Sequence, residues 1–175
     1  MTPRQASGAS MTLKLRNLLP ALFLPVSGSL FAAIPPVTLP DGKVVQLSGQ
    51  AVAALQRQSV SATSPDKTAS YGGHDLREIP KAAGVPTEAL RSKDLTSTVV
   101  DGCQSAFTLS ELDPMIGNKQ VLLIDQDNGQ PLQAADGSWR HVVPTDHRPT
   151  RWVRQVASIA VSAPRLGDKN SPGMP

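Results

Sequence analysis

The residues best able to do chemistry in this chain are gathered in one stretch, GSWRHVVPTDHRPTRWVRQV at 137–156. It holds four arginines, two of the three histidines and both tryptophans of the 175-residue sequence. Arginine presents a planar fork of N–H donors that binds phosphate or carboxylate in bidentate fashion, and it keeps its charge in any environment. The stretch is therefore either a binding site for an anionic ligand or a solvated edge with ordinary surface arginines.

Within this stretch, Arg148 and Arg151 are the candidates for anion binding. The pattern of apolar and polar residues predicts a strand over RHVVP, a polar loop over TDHRP and a strand over TRWVRQV. Two prolines stiffen the loop, and His147 adds a further donor at its mouth. The alternative is that the arginines alternate onto the solvent face of a strand. We favour that alternative for Arg154, whereas both interpretations stand for Arg148 and Arg151.

Other chemical signals in the sequence are weaker. DQDNG resembles the opening of a calcium loop but lacks the later carboxylates that such a loop needs, so we predict a simple turn. The histidines are scattered, and the sequence contains no G-x-S-x-G, P-loop or G-x-G-x-x-G motif. Cys103 is the one cysteine, so it cannot form an internal disulfide, and we expect it to be buried. These signals assign no catalytic residue and no metal ligand.

Residues 1–33 have the features of a secretory signal peptide. Lys14 and Arg16 form a basic segment, LLPALFLPVSGSLF is an apolar run, and Ala32 and Ala33 are small residues suited to cleavage. The apolar run is too short and too interrupted for a spanning helix of about 20 residues. We therefore expect a periplasmic or secreted protein with no stable membrane span after leader removal.

The distribution of charge argues against nucleic acid as a partner. The formal net charge is +3, and residues 1–33 contribute three basic residues and no acidic one. The rest of the chain carries 14 basic and 14 acidic residues. The body of the protein is neutral by count, so it lacks the basic excess that binding to a polyanion requires.

The pattern after the leader predicts a single α+β domain with a mixed β-sheet and short helices. KVVQL alternates as a strand, Ser48 is expected to cap a helix over GQAVAALQRQ, and SVSATS is extended. PDKTASYGG is polar and is expected to be rich in turns. HDLREIPKAAG predicts a short helix that starts near Asp75 and stops at Gly84.

The second half of the chain is richer in predicted strands. Two strands flank the turn at Asp101, LSELDP is a helical turn with Ser110 as its N-cap, and KQVLLIDQ is a buried strand. The sequence Asn-Gly at Asn128 predicts a hairpin. A strand over SWRHVVP precedes a long strand over TRWVRQVASIAVS. Residues 163–175 are polar and are expected to be a disordered tail.

Several runs of this sequence resemble small exported proteins with a molybdopterin-binding, sulfite-oxidase-like fold. The runs occur in the family's order: YGGHDLREIPKAAGVP, VVDGCQSAFTLSELDP, VLLIDQDNGQPL and GSWRHVVPTDHRPTRWVRQVASIAV. The resemblance covers about residues 38–162, which we take as the molybdopterin-binding-like domain. It implies a loop before the final tryptophan-bearing strand whose basic residues contact the pterin phosphate. Arg148, Arg151 and Trp152 match that pattern, and His147 is adjacent to it.

The chain departs from the family's enzymes at the metal ligand. Those enzymes hold molybdenum through a pterin dithiolene and one protein cysteine after the first helix. The matching segment here is SVSATSPDK, in which residues from Ser61 to Ser64 occupy that region. A serine hydroxyl is a far poorer ligand than a thiolate for a soft metal site.

The resemblance therefore implies three alternative functions. The first is a binding module that uses Arg148 and Arg151, with His147, to hold molybdopterin or another small anion, acting with a redox or enzyme partner protein. The second is a molybdopterin-dependent oxidoreductase whose metal ligand is not a cysteine or comes from a partner. The third is an interaction domain in which the cofactor site has decayed. We favour the first.

Overall fold

The computed structural model describes residues 32–65, 67–90, 92–146 and 148–163, which fold as short helices and two β-sheets. The strands are β1 Val37–Thr38, β2 Val44–Val45, β3 Arg57–Ser64, β4 Lys67–Asp75, β5 Asp94–Val99, β6 Gln104–Thr108, β7 Leu122–Asp127, β8 Gln130–Pro131, β9 Arg140–Val142 and β10 Val156–Ser162. The helices are α1 Gly49–Ala54, α2 Glu78–Ala82, α3 Thr87–Leu90 and α4 Leu109–Leu112, with 3₁₀ turns at Ala134–Asp136 and Pro149–Arg151. The predicted mixed α+β class is confirmed, but two sheets stand where one was expected.

The first sheet contains both the beginning and the end of the described chain. Its strand order is β2-β1-β10-β5-β6. The β1–β10 pair is parallel, with Val37 opposite Ile159, and the other pairs are antiparallel. The β5–β6 hairpin around Asp101 is the one predicted from the sequence.

The second sheet is antiparallel and is centred on β7. Strand β4 lies on one side of β7, while β8 and β9 share its other side. The register places Ile124 opposite Arg140 and Leu123 opposite His141, whereas β8 pairs with the far end of β7 at Gln126. Strand β7 is the buried strand that KQVLLIDQ predicted, since Leu122, Leu123 and Ile124 are entirely buried.

One apolar core draws its side chains from both sheets. It includes Val37, Leu95 and Ile159 from the first sheet and the buried residues of β7 from the second. His141 of β9 lies in this core as a polar exception. Its Nε2 is 3.2 Å from the Ser97 hydroxyl of β5, and its ring packs edge-on against Phe107 of β6.

The predicted helix cap at Ser48 is confirmed, whereas the predicted cap of α4 is two residues away from the observed one. The Ser48 side chain accepts a hydrogen bond from the backbone N–H of Ala51, as predicted for the cap of α1. The N-cap of α4 is Thr108, whose hydroxyl accepts from the N–H of Glu111, so the assignment of this cap to Ser110 was wrong. Asn128 has a left-handed backbone in the predicted β7–β8 turn.

Two segments differ from the sequence-based expectation. The polar run predicted as turns is most of β4, whose alternation of buried Ala69 and Tyr71 with exposed neighbours continues the pairing with β3. The long strand expected from Thr150 begins only at Val156, because a 3₁₀ turn and an irregular segment precede it. Neither Arg151 nor Arg154 is therefore a strand residue.

The N-terminal and C-terminal predictions fall largely beyond the described residues. The leader predicted at 1–33 and the tail predicted at 163–175 lie outside them except for Ala32, Ala33 and Ala163. Among the residues from 32 to 163 that the structure describes, none of the helices has the length and apolar character to cross a membrane.

Gly73 lies where β4 approaches β7 closely, at an irregularity in the register between Gly72 and Gly73. A Cβ at Gly73 would overlap the carbonyl group of Leu123, which belongs to the backbone of the central strand. We expect Gly73→Ala to lower the free energy of unfolding by about 3 kcal/mol or more, because neither strand can retreat without breaking the ladder. At Gly72, a Cβ would meet the flexible end of Gln126 at 3.1 Å, so Gly72→Ala is the matched control. If urea denaturation gave equal losses of unfolding free energy for Gly73→Ala and Gly72→Ala, this explanation would be contradicted.

His141 makes the stability of the fold depend on pH. Complete burial lowers the pKa of its imidazole from 6.5 to about 3. As the pH falls below about 6.5, the unfolded chain takes up a proton at this histidine that the folded chain does not, so the free energy of unfolding decreases until about pH 3. The loss attributable to His141 between pH 7 and pH 5 is about 2 kcal/mol. We expect His141→Gln to lack this part of the pH dependence in denaturation series. Parallel curves for the two proteins would show that another group is responsible.

Candidate functional site

Arg140 is a buried cation on β9, and strand alternation determines the direction of its side chain. Successive side chains on a strand point to opposite faces. His141 points into the core between the sheets, so Arg140 points to the other face. The N–H of His141 donates to the Val153 carbonyl at 2.9 Å, which ties β9 to the segment before β10. The register with Ile124 fixes the strand from its other edge.

Two aromatic rings flank the guanidinium of Arg140. Its central carbon lies 6.0 Å from the Tyr71 ring centroid and 5.8 Å from that of Trp152, and the two rings meet edge to face. Only 9% of Arg140 is exposed, and its buried Nε has no hydrogen-bond partner. Its ion pair with Asp136 is long, at 3.6 Å. A buried cation whose donors are incompletely satisfied is costly for the fold, and an incoming anion would stabilise it.

Arg154 binds the same carboxylate as Arg140. Its Nε is 3.0 Å from Oδ1 of Asp136. The backbone on either side of this pair is held by close packing, because Gly137 lies so near Gln155 that a Cβ there would be 2.8 Å from the Gln155 Cα. Gln155 itself has a left-handed backbone, which is uncommon for a residue with a side chain, and its N–H donates to the Asp136 carbonyl at 2.8 Å.

Arg140 and Arg154 lie between two clefts and line both of them. The thiol cleft has a volume of about 460 Å³ and includes Asp101, Cys103, Arg140, Pro149, Trp152 and Arg154. The hairpin cleft has a volume of about 570 Å³ and includes Lys67, Tyr71, Asp127, Asp136, Arg140 and Arg154. Both volumes are in the range of small-molecule sites.

The charges in these clefts favour an anionic ligand. Two guanidinium groups share the single carboxylate of Asp136, so the group of Arg140, Arg154 and Asp136 carries one net positive charge. The Lys67 ammonium at the rim is 2.7 Å from Asp127 and is half exposed. Because arginine donors match phosphate and carboxylate oxygens in bidentate geometry, this arrangement can bind such groups and orient them.

The arginines singled out from the sequence have other surroundings. Arg148 is exposed and has an extended backbone at the start of the 3₁₀ turn Pro149–Arg151. His147, the third candidate, lies outside the described residues. Of the arginines of this stretch that the structure describes, it is Arg140 and Arg154 that line the clefts. A direct role for Arg148 and Arg151 in anion binding stays a prediction.

Arg151 belongs to a charge-balanced network. Its guanidinium donates to Asp146 at 2.9 and 2.8 Å and to Glu111 at 2.9 Å, and Lys119 contacts the same two carboxylates. The hydrogen bond from Arg151 lowers the pKa of Asp146 below its ordinary value. The guanidinium carbon also lies 5.0 Å from the Phe107 ring centroid. These contacts attach the loop after β9 to α4 and the first sheet.

Cys103 is exposed, so the expectation of a buried thiol was wrong. It sits at the tip of the β5–β6 hairpin, where the Asp101 carboxylate accepts a hydrogen bond from its backbone N–H at 3.0 Å. A side-chain hydrogen bond to Asp101, with the negative charge of that carboxylate, raises the pKa of the thiol. The residues Ser61 to Ser64 lie on β3, and Ser64 borders the hairpin cleft.

The candidate residues predicted from the sequence did not include Arg140, Lys67 or Tyr71, and Arg154 was predicted to lie on the solvent face of a strand. A signal for Arg140 was present, since it is a charged residue inside the apolar strand SWRHVVP. A charge at such a position must find partners or a ligand. Lys67 and Tyr71 gave no such signal, because their approach to Arg140 depends on the pairing of distant strands.

Comparisons with known proteins bear on the fold. No protein-family model and no curated protein matches the sequence. Among solved structures, the sulfane dehydrogenase SoxCD from Paracoccus pantotrophus is similar, with a TM-score of 0.56 and 17% identity over 73% of this chain. The match covers 37% of that protein's chain, so this chain corresponds to about a third of its length. At this identity the likeness concerns the fold alone.

The Arg151 network leads to a prediction that separates a structural arginine from a ligand-binding one. Removing Arg151 leaves the two carboxylates with Lys119 as their remaining cation. We expect Arg151→Ala to lower the free energy of unfolding by about 1–3 kcal/mol, as for a partly buried charged network. Arg148→Ala, at an exposed site, should change it by less than about 0.5 kcal/mol. Chemical denaturation of both variants measures this, and an unchanged midpoint for Arg151→Ala would refute the structural role.

Proposed function

We propose that this chain is a binding module for a small anion of the phosphate-bearing pterin class, with molybdopterin as the candidate ligand. The observation that carries the proposal is the buried guanidinium of Arg140, which has an unsatisfied Nε and shares Asp136 with Arg154. The resemblance of the sequence to molybdopterin-binding domains of the sulfite-oxidase-like fold supports the choice of ligand. The fold likeness to a sulfane dehydrogenase is consistent with it.

In this proposal, the hairpin cleft holds the ligand. Arg140 and Arg154 would bind the phosphate, and Lys67 would add charge at the rim. Arg151 would hold the loop in place through Asp146 and Glu111. The resemblance also implies a contact of the ligand with Arg148 or His147, and Arg148 is exposed at the start of the 3₁₀ turn Pro149–Arg151.

The residues present fit the anionic part of molybdopterin better than a protein-held metal. The segment matching the family's cysteine ligand contributes Ser64 to the hairpin cleft, and a hydroxyl binds soft metals poorly. Cys103 lies in the thiol cleft, and Asp101 raises the pKa of its thiol, which disfavours the thiolate that a metal binds. Within the described residues, no group of three or more His, Cys, Asp or Glu side chains could hold a metal ion. Bound molybdopterin would supply a dithiolene for the metal.

Export to the periplasm or the medium, and action with a redox or enzyme partner protein, are further parts of the proposal. The first rests on the signal-peptide features of residues 1–33. We assign no residue of this chain as a metal ligand or to electron transfer, so a partner protein would supply both.

The direct test is to isolate the protein from a host that makes molybdopterin and to measure molybdenum by mass spectrometry and pterin by fluorescence after oxidation. Pterin in a stoichiometric amount supports the binding module. Stoichiometric molybdenum with turnover would favour the oxidoreductase instead. Absence of both, together with no binding of pyrophosphate by calorimetry, would contradict the proposal and favour the interaction domain.

Variants of the clefts give a second, quantitative test with pyrophosphate as the probe. Arg154→Ala should weaken pyrophosphate binding by about tenfold or more, since a charged hydrogen bond contributes about 1.5–3 kcal/mol. Arg140→Lys should weaken it similarly, because lysine keeps the charge but loses the planar fork. Lys81→Ala is the matched control, as Lys81 pairs with Glu78 on α2. Equal affinities for Arg154→Ala and Lys81→Ala would refute the role of the clefts.

A further inference from the structure

The thiol cleft contains an exposed thiol that anion binding does not use. Cys103 is exposed at its edge, and it is the one cysteine of the sequence, so its thiol has no partner for an internal disulfide. An unpaired cysteine on a protein surface is available for exchange with small disulfides. An exposed cysteine is not by itself a binding site, but this one shares its cleft with a buried cation.

The buried cation at the base of the cleft is Arg140. The Arg140 side chain is 11% exposed, its buried Nε has no hydrogen-bond partner, and both Arg140 and Arg154 line the thiol cleft. The Trp152 ring borders the same space. The cleft therefore combines a thiol at its rim with an incompletely neutralised cation at its base, within a volume of about 460 Å³.

We propose that Cys103 is a site of reversible mixed-disulfide formation with a small thiol that carries carboxylate groups, which bind Arg140 and Arg154 while the sulfur reaches Cys103. The volume suits a molecule of a few residues rather than a folded partner. This inference does not require pterin binding, although both ligands would use Arg140 and Arg154, which line both clefts.

The chemistry is thiol–disulfide exchange and needs no added oxidant beyond the small disulfide itself. The Cys103 thiolate attacks one sulfur of the disulfide, a new S–S bond forms to Cys103, and the original S–S bond breaks. The second half of the reagent leaves as a thiolate and takes up a proton from water. A free small thiol reverses the reaction by the same route.

Because of Asp101, the relative rates of reaction with anionic and cationic disulfides are a sharp test of this proposal. Its carboxylate lies beside Cys103 and raises the pKa of the thiol, so exchange should be slow at neutral pH and should accelerate as the pH rises. By itself this negative charge would favour a cationic disulfide. A preference for an anionic disulfide that is lost in Arg154→Ala would therefore show that the arginines outweigh Asp101.

The experiment compares the rates at which the reduced, purified protein reacts with oxidised glutathione, which is anionic, and with cystamine, which is cationic. Intact-mass spectrometry follows the adduct, and Cys103→Ser shows that the adduct is at this residue. We expect oxidised glutathione to react at least about fivefold faster at low ionic strength, with the ratio falling in high salt. Equal rates, or faster reaction with cystamine, would overturn the proposal.

Arg154→Ala tests the charge preference, and Cys103→Ser separates this inference from the proposed function. Arg154→Ala, at a largely exposed side chain, should reduce or reverse the preference for oxidised glutathione, whereas Lys81→Ala should leave it unchanged. Cys103→Ser should still bind pyrophosphate, so loss of exchange and loss of anion binding in the hairpin cleft are measured independently. Formation of a Cys103-linked dimer in preference to the glutathione adduct would show that the thiol serves a second copy of the chain, and would contradict the inference.

Discussion

The guanidinium of Arg140, held between the rings of Tyr71 and Trp152, is the feature on which the rest of this molecule depends. A cation can remain buried only if aromatic faces, carboxylates or a ligand offset the loss of hydration. Here the two rings and the shared carboxylate of Asp136 offset only part of the hydration that the guanidinium loses. The remaining positive potential lies between two clefts, and this gives both of them their chemical character.

The arginines of the stretch 137–156 divide into two kinds according to how their charge is balanced. Arg151 is matched by Asp146 and Glu111, so it contributes to the attachment of the loop rather than to an excess of charge. Arg140 and Arg154 share one carboxylate, so together they keep one positive charge available. The number of nearby carboxylates thus decides how far the charge of each arginine is neutralised, and the proposed anion binding rests on the excess at Arg140 and Arg154.

Elements controlled by neighbouring residues were predictable from the sequence. The cap at Ser48 and the left-handed turn at Asn128 depend on contacts within a few positions, and the apolar run of β7 is by itself a signal of a buried strand. Each of these elements is found in the structure. Strand β4 was predicted as a loop because its polar composition is typical of one. In the structure it forms a strand because it pairs with β3 and β7. The alternation of Ala69 with Tyr71 was the available signal, but it was short.

The sequence by itself determined that arginine and tryptophan are concentrated in one stretch, that the fold mixes short helices with strands, and that one cysteine lacks an internal partner. Only the tertiary structure decided which arginines face a cleft. That choice depends on the register of β9 against β7, on the irregular backbone before β10, and on the arrival of Tyr71 from β4. These are contacts between residues far apart in the chain, and local patterns do not encode the direction in which a side chain meets a distant strand.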